Sequence, residues 1–447
     1  MTRHKSFTTI SQLPLGQAET NFESRNVTPL IKRLLYVIPR YARDLMGNQI
    51  HTEVIHWWQR QQVHVDLLCF DANASHETFE LLDNIPVYRL PISQSFAAKA
   101  INRAANPLIH YPYFPGLMRA YRRFLSQHQY DFAHVETAFP LGVVAGFMPE
   151  ALHPPFAVTL PGADVMGEPA YDYGYGRYRS VRMLLRNVWR RAALVRADSR
   201  YIRRRAIELG CAPEKVFAIP YNITDGDYPP DEYVPADFRA GARADVLARH
   251  GLPADAQIVL SLSRLHPFKG VEFLVKAAPA VLAAAPNTYF IIVGPRRTTP
   301  RFGDYAGYLE QQARELNVAE RVLLVGALPH HDVRTYMAAS DAVVVPSVIE
   351  ALNRVAIEAA ALSTPAIVTR TTGISEYMAE HGYGLVVEPR SPESIAQALR
   401  ILLSDPKRRE MLGARGPEMA AQFRSEHIAA DLLSHYEQAL AAQHASA

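Results

Sequence analysis

Short runs rich in Val, Ile and Leu alternate with longer amphipathic stretches along almost the whole chain, and this alternation constrains the fold more than any other feature. In the first half the runs are LLYVI from Leu34, VDLLCF from Val65, PVYRL from Pro86, FAHVE from Phe132, FAVTL from Phe156, ALVRADS from Ala193 and VFAIP from Val216. In the second half they are IVLSLS from Ile258, YFIIVG from Tyr289, VLLVG from Val322, AVVVPS from Ala342, AIVTR from Ala366 and GLVVE from Gly384. Runs this apolar, without strict alternation, predict strands buried on both faces, as in parallel sheets covered by helices. Between them KGVEFLVKAAPAVLAAA, YLEQQARELN and SPESIAQALRILLSD read as helices, the last opening on Ser-Pro. The βαβαβ pattern occurs twice. It predicts two doubly wound α/β domains that face each other across a cleft at the carboxyl ends of their strands.

A length of 447 residues fits two cores better than one. Residues 1–28 are polar, lack a long apolar segment and so resemble no secretory signal; they read as a mobile tail. The first domain is placed at 29–225 and the second at 253–424. The Pro- and Asp-rich TDGDYPPDEYVPADF marks a linker, assigned to 226–252. Residues 425–447 continue as a helix with no strand to lead into, predicted to pack back on the first domain. A net charge of +3 gives no argument for nucleic-acid binding, and no apolar run approaches the roughly 20 residues that span a bilayer. Cys69 and Cys211 show no metal-ligand or redox spacing and fit a reducing compartment, so a cytoplasmic protein is expected. Neither G-x-G-x-x-G nor G-x-x-x-x-G-K-[ST] occurs, which removes the main support for dinucleotide and P-loop readings.

Three stretches of the second domain could carry chemistry. In SRLHPFKG, Arg264 and Lys269 follow a strand and sit at the cleft, where a planar fork and a compact cation together suit a diphosphate. Alone, two cations near a helix start are as readily ordinary surface residues. In EALNRVAIE, Asn353 is placed to cap a helix, which puts Glu350 in the loop, Glu358 on the second helical turn and the N–H groups of Arg354 and Val355 at an anion-receptive helix start. Two glutamates at this spacing are by themselves as well explained by solvated positions. In RTTGISE, Thr371, Thr372 and Gly373 form either a close approach to phosphate or an ordinary strand-to-helix turn.

Taken in order, SRLHPFKG, FIIVG, RVLLVGAL, MAASDAVVVPS, EALNRVAIEA, STPAIVTRTTGISE and YGLVVEP closely resemble the nucleotide-sugar-binding domain of family-4 retaining glycosyltransferases (glycosyl transferases group 1) over Ile258–Gln422. The resemblance implies the GT-B fold, with two Rossmann-like domains facing a central cleft. It implies that Arg264 and Lys269 hold a donor diphosphate, that Glu350 contacts the donor sugar and Glu358 the ribose, and that Gly294 and the backbone from Gly326 to Leu328 belong to the nucleotide site. Asn353, Arg354 and Val355 would face sugar and phosphate, with Thr372 and Gly373 beside them. In the first domain MGNQIHTEVIHWWQRQQVHVDLL resembles the family's glycine loop, but Asn48 follows Gly47 where a second glycine is usual. In TLPGADV, Pro161 precedes Gly162 where the family commonly has His-Gly, and proline lacks the imidazole that contacts the donor sugar. On the acceptor side Gly162, Asp164 and His134 are the candidates, His134 either standing in for the missing histidine or being an ordinary buried strand residue. Asn353 and Arg354 depart from the usual E-G-F-G pattern and are where donor specificity is expected.

From Arg177 to Arg205 the chain holds eleven arginines and one acid, Asp198. Arg179, Arg182, Arg186 and Arg190 recur at helical spacing, so they share a face that suits an anionic membrane surface or else pairs with acids elsewhere. SFAAKAINRAANPLIHYPYFPGLMRAYRRF is a second basic, aromatic segment on the acceptor side. The expected activity is retaining transfer of a sugar from a nucleoside diphosphate sugar to an acceptor hydroxyl, in glycan, glycolipid or metabolite glycosylation, without metal or other cofactor. It is placed in the cytoplasm, at the inner face of the membrane if the basic helix binds lipid. A GT-B sugar phosphorylase and a non-catalytic nucleotide-sugar-binding subunit are the alternatives.

Overall fold

The computed structural model describes residues 29–42, 47–92, 100, 103, 106, 109–227, 235–296, 298–299 and 301–446. The N-terminal tail and most of the SFAAKAINRAANPL segment lie outside the described residues. The first domain is built on an eight-stranded sheet: β1 (Arg33–Val37), β2 (His64–Asp71), β3 (Thr78–Leu82), β4 (Ile85–Pro91), β5 (Phe132–Glu136), β6 (Phe156–Leu160), β7 (Leu194–Ala197) and β8 (Val216–Ala218). Their order is β3-β4-β2-β1-β5-β6-β7-β8. All neighbours are parallel except β3, which pairs antiparallel with β4 at the edge. The second domain has β9 (Gln257–Leu262), β10 (Thr288–Val293), a two-strand hairpin of β11 (Thr298–Thr299) and β12 (Gly303–Asp304), β13 (Val322–Gly326), β14 (Ala342–Val345), β15 (Ala366–Thr369) and β16 (Leu385–Val387). Its six-stranded sheet runs β13-β10-β9-β14-β15-β16, entirely parallel.

Each apolar run named above forms a strand, because a strand buried on both faces needs apolar side chains at every position. One core of the first domain packs Leu35, Val135, Val158 and Val195 against the helices of one face, and Ile349 and Ala351 of the second domain join it. The other face packs Leu34, Leu67 and Trp58 against Ile428, Leu432 and Tyr436 of the Ser425–Ser446 helix. That helix is fixed by Trp58 Nε1, which donates to Ala429 O at 2.8 Å. The chain therefore returns to the first domain after completing the second.

The stretch assigned to a linker is more structured than its composition implies. Pro235–His250 is a helix on the second domain, where Ala242 and Val246 enter the core. Arg239 donates to Leu362 O at 3.1 Å and Thr364 Oγ1 at 2.7 Å, and Arg243 pairs with Asp341 at 3.2 Å.

In both sheets the strand order reverses once, between β1 and β5 and between β9 and β14. The loops that leave a reversal diverge to opposite sides and open a crevice at the carboxyl ends of the strands. The two crevices face each other.

Candidate active site

The second-domain half is built on its reversal. After β9 the chain turns through Arg264 and a 3-10 turn, Pro267–Lys269, into the Val271–Leu282 helix. Gly270, at φ +67°, closes this turn, and a Cβ there would collide with Pro346 O at the end of β14. Lys269 Nζ consequently meets Glu350 Oε2 from the loop after β14, and these side chains are only 12% and 15% exposed. Ser347 Oγ donates to the same oxygen at 3.3 Å. Arg264 is exposed and has no partner among the described residues. Asn353, at φ +84°, caps the Arg354–Ala361 helix, its Oδ1 accepting from Ala356 N at 3.1 Å. The first N–H groups of that helix are left open toward the cleft, a favourable place for anionic oxygen. Glu358, one turn further on, has neither hydrogen bond nor ion pair among the described residues. Burial raises its carboxyl to about 7; Arg354 and His330 pull it down and Asp227 pushes it up.

The first domain supplies the opposing wall. Gly47, at φ +94° after β1, faces Arg354, whose Nη2 would lie 3.8 Å from a Cβ at that position. Arg354 has no ion pair among the described residues, and its charge is felt by Glu358, Asp198 and His51. One unpaired guanidinium from the second domain thus bridges the cleft. Gly162, at φ +113° after β6, lies so close to the second domain that a Cβ would sit 2.5 Å from that of Ala351. Ser199 Oγ, just after β7, donates to Ala351 O at 2.6 Å. Asp164 is buried; its Oδ2 accepts from Ala138 N at 2.7 Å while Oδ1 has no partner, and burial raises its carboxyl to about 7.

Several expected site residues are placed differently. His134 is fully buried, with Nδ1 bonded to Tyr436 OH and Nε2 to Glu136 Oε1 at 2.7 Å, so no ring nitrogen is left to reach a sugar. Its ring stacks on Tyr36 at 4.4 Å. Gly373 and Thr372 are also taken up in packing: a Cβ on Gly373 would collide with Ala351 O and Ser199 Oγ, and Thr372 Oγ1 bonds Thr369 Oγ1 at 2.9 Å. Gly373 is small because two domains meet there, and its N–H donates to Glu350 O at 3.2 Å. Asn48 ties its amide to Ala42 O at 2.7 Å and is a loop brace. Gly294 follows β10, abutting Ser263 O, and Gly326, at φ +85°, ends β13 with open space over it. Leu328 and Val355 are half-buried beside the second core.

Other cleft residues escaped the sequence reading. Tyr173 stacks on Phe268 at 4.3 Å and is raised by burial, by Glu350 and by the buried acids Asp164 and Asp198, while Arg264 opposes the shift. No motif marks it; the density of tyrosines in YDYGYGRY was the available signal. Glu136 accepts from Tyr36 OH at 2.8 Å and Tyr221 OH at 2.5 Å as well as meeting His134. Burial alone would raise this carboxyl, but His134, His51 and Arg196 hold it well below the usual range. The basic stretch divides: Arg179–Arg191 is one helix, Arg196 is buried in β7, and Arg200 and Arg204 reach Glu380 and Glu376 of the second domain.

Two doubly wound domains with opposed carboxyl ends define the GT-B class of architecture. Sucrose-phosphate synthase from Thermosynechococcus elongatus superposes at a TM-score of 0.72 with 23% identity, covering 92% of this chain and 100% of that one. Anabaena Alr3699/HepE, solved in complex with UDP and glucose, superposes at 0.67 with 19% identity, covering 90% and 98%. Residues 243–419 match the family described as glycosyl transferases group 1, and residues 48–222 match the glycosyl transferase 4-like domain. The chain belongs to the group 1 glycosyltransferases. D-inositol 3-phosphate glycosyltransferase of Corynebacterium glutamicum is 33% identical over 47% of this chain and 49% of its own length. A GDP-mannose-dependent alpha-(1-6)-phosphatidylinositol monomannoside mannosyltransferase of Mycolicibacterium smegmatis is 26% identical over 68% and 76%. The chain thus spans about half the length of the inositol-phosphate glycosyltransferases it matches.

Proposed function

We propose that the protein transfers a sugar from a nucleoside diphosphate sugar to an acceptor hydroxyl, with retention of anomeric configuration and without a metal ion. The carrying observation is that unpaired Arg264 and Arg354 flank the open helix start and the Lys269–Glu350 pair at one crevice. These cations and amides stabilise charge as it develops on the departing diphosphate; a single such donor contributes about 10²–10³ in rate. Glu358, with no protein partner, receives the ribose hydroxyls, and Glu350 orients the donor sugar while remaining tied to Lys269. The departing diphosphate takes the acceptor proton on the face it leaves, so no carboxylate acts as nucleophile. Arg354 and Asn353, which differ from the family pattern, read the donor sugar where Pro161 cannot.

Thermal-shift titration with UDP, GDP, ADP and their sugar conjugates is the test, since a ligand of the folded state raises its melting temperature with concentration. A shift with one nucleotide class, an axial product from an axial donor and full activity in EDTA are the expected results. Strict metal dependence, or phosphate-dependent release of a sugar phosphate without nucleotide, would overturn the reading.

We propose further that the outer face of the Arg179–Arg191 helix meets an anionic membrane at the inner leaflet. Met183 is 61% exposed there, between Arg182 and Arg186, and Phe147 is 48% exposed. Asn187 Nδ2 donates to Gly146 O at 2.7 Å, which holds the segment carrying Phe147 against the helix carrying Met183. No helix among the described residues is long and apolar enough to cross a membrane. Salt-sensitive binding to phosphatidylglycerol vesicles is expected; no binding at low salt would refute it.

A further inference from the structure

His51 lies in the first turn of the Gln49–Arg60 helix, which leaves β1 where the first sheet reverses its strand order. Its imidazole meets side chains from both strands that flank this reversal. Nδ1 lies 2.7 Å from the hydroxyl of Tyr36 on β1, and that hydroxyl donates to Oε1 of Glu136, the last residue of β5, at 2.8 Å. Glu136 also receives His134 and Tyr221 OH and is a carboxylate that only accepts. The single Tyr36 proton therefore lies on the Glu136 side, so His51 Nδ1 carries the imidazole proton and donates to Tyr36. Nε2 is left with an open lone pair. It has no partner among the described residues. The buried polar atoms without a partner there belong to Thr137, Asp164, Trp189 and Gln312, so Nε2 is part of the 12% of this side chain that is exposed.

The surface it reaches belongs to the donor crevice. Gly47, one turn before it, faces Arg354 across the cleft, and Asn222 Nδ2 of the interdomain passage donates to the adjoining Ile50 O at 3.2 Å. Tyr221, from the same passage, meets the imidazole edge-on at 6.0 Å. Other groups of the first-domain wall are silent: Gly47, Pro161 and Gly162 carry no side-chain hydrogen-bonding group, and His134 spends both nitrogens on Glu136 and Tyr436. Burial lowers the His51 imidazole to about 4 against the pull of Glu136, and His134, Arg196 and Arg354 lower it further. A ring that resists protonation is a weak general base but a competent hydrogen-bond acceptor at neutral pH. Such an acceptor pairs with a neutral hydroxyl. Phosphate oxygens, which only accept, are directed instead to Arg354 and Arg264.

We propose that His51 Nε2 accepts a hydrogen bond from a hydroxyl of the donor sugar and so helps select which sugar is transferred, with Tyr36 and Glu136 as positioning residues that fix its tautomer. The inference rests on the glycosyl-transfer reading, which it deepens by giving the donor sugar a contact on the first domain. Two variants separate this role from packing. His51→Asn keeps an N–H for Tyr36 and deletes the outward acceptor, whereas His51→Gln places an amide oxygen where Nε2 stands. Calorimetric titration of the full chain with UDP-glucose, GDP-mannose and ADP-glucose, and with UDP, GDP and ADP, gives the affinity of the tightest conjugate and of its bare nucleotide. His51→Asn should weaken that conjugate about fivefold, the equivalent of one hydrogen bond of about 1 kcal/mol, and leave the bare nucleotide within about twofold. His51→Gln should bring the conjugate back to within about twofold of the wild type. Nitrogen NMR of labelled histidine in the ligand-free wild type, assigned by difference from His51→Asn, should show Nδ1 protonated and Nε2 bare at pH 7. Unchanged conjugate affinity in His51→Asn, equal loss of conjugate and nucleotide, no recovery in His51→Gln, or a protonated Nε2 overturns the proposal. A wild type that binds no nucleotide and no conjugate would strike the donor reading and this inference with it, a failure that the ligand-free tautomer spectrum distinguishes from an error about His51 itself.

Discussion

Lys269 and Glu350, carried from the ends of β9 and β14, neutralise each other across the point where the second sheet reverses its strand order. On the proposed reading, an incoming donor would meet a preformed pair in which the cation is already oriented. Lys269→Ala and Glu350→Ala should each lower transfer at least about tenfold, and the lysine variant by as much as about 10²–10³. Because the two residues act together, the double variant should lose less than the product of the single losses. Unchanged circular dichroism alongside reduced kcat would separate this from unfolding; near-wild-type turnover in either single variant would sink the assignment.

Glu358 gives a pH signature. With its carboxyl raised to about 7 by burial, it is largely protonated at pH 6 and ionised at pH 8. Only the ionised form accepts hydrogen bonds through both oxygens, so nucleotide affinity should rise through pH 7, by about tenfold at most per pH unit. Arg354, Asp227 and His330 share this environment, so the control is Glu358→Gln. That variant should bind the tightest of UDP, GDP and ADP more weakly and with a flatter pH profile. Calorimetric titrations at pH 6 and 8 decide it.

Asp164 should govern stability over a similar range. Its folded carboxyl is raised to about 7, so its favourable contribution is complete below the ordinary carboxyl range, near 4, and is lost as pH rises through 7. Asp164→Asn keeps an oxygen for Ala138 N and cannot ionise. The wild type should lose stability relative to this variant chiefly between pH 5 and 7, by about 1.4 kcal/mol per pH unit at most, and level off toward pH 8. Melting curves at pH 5, 6, 7 and 8 are sufficient, and a constant difference across them would refute the prediction.

Arg200–Glu380, Arg204–Glu376 and Arg390–Glu168 tie the domains together at the rim of the cleft. Exposed pairs contribute about 0–1 kcal/mol each, so removing one should barely change the melting temperature. Reversing two charges together replaces attraction with repulsion. Arg200→Glu/Arg204→Glu should expand the particle in small-angle scattering, and adding Glu376→Arg/Glu380→Arg should restore it. An unchanged radius of gyration in the first variant would show that the rim pairs do not hold the cleft shut.

The sheets were legible because burial on both faces writes itself as consecutive apolar residues. β3 was not, since an edge strand with Phe79 and Leu81 both 60% exposed has no such run. The Pro235–His250 helix hid behind prolines and aspartates that composition assigns to a linker. In the site, Lys269, Glu350 and Asn353 could be read because each lies within a few residues of a strand end or helix start. Tyr173, Asp198 and the reach of Arg354 to Gly47 depend on how one domain meets the other, which local spacing does not encode. His134 was ambiguous for the opposite reason: only the returning helix, through Tyr436, closes off its ring.

The returning helix also shapes how the cleft can open. The chain passes between domains twice, near Asn222–Asp227 and near Ser425, and Glu53 of the first domain grips both passages, accepting from Asp225 N at 3.2 Å and from Ser425 Oγ. Two strands of covalent chain pinned at one carboxylate act like the spine of a book. The domains can swing about that line, but twisting or sliding would stretch one passage against the other. Any swing about that line would have to part the interdomain pairs that Arg200 and Arg204 make with Glu380 and Glu376.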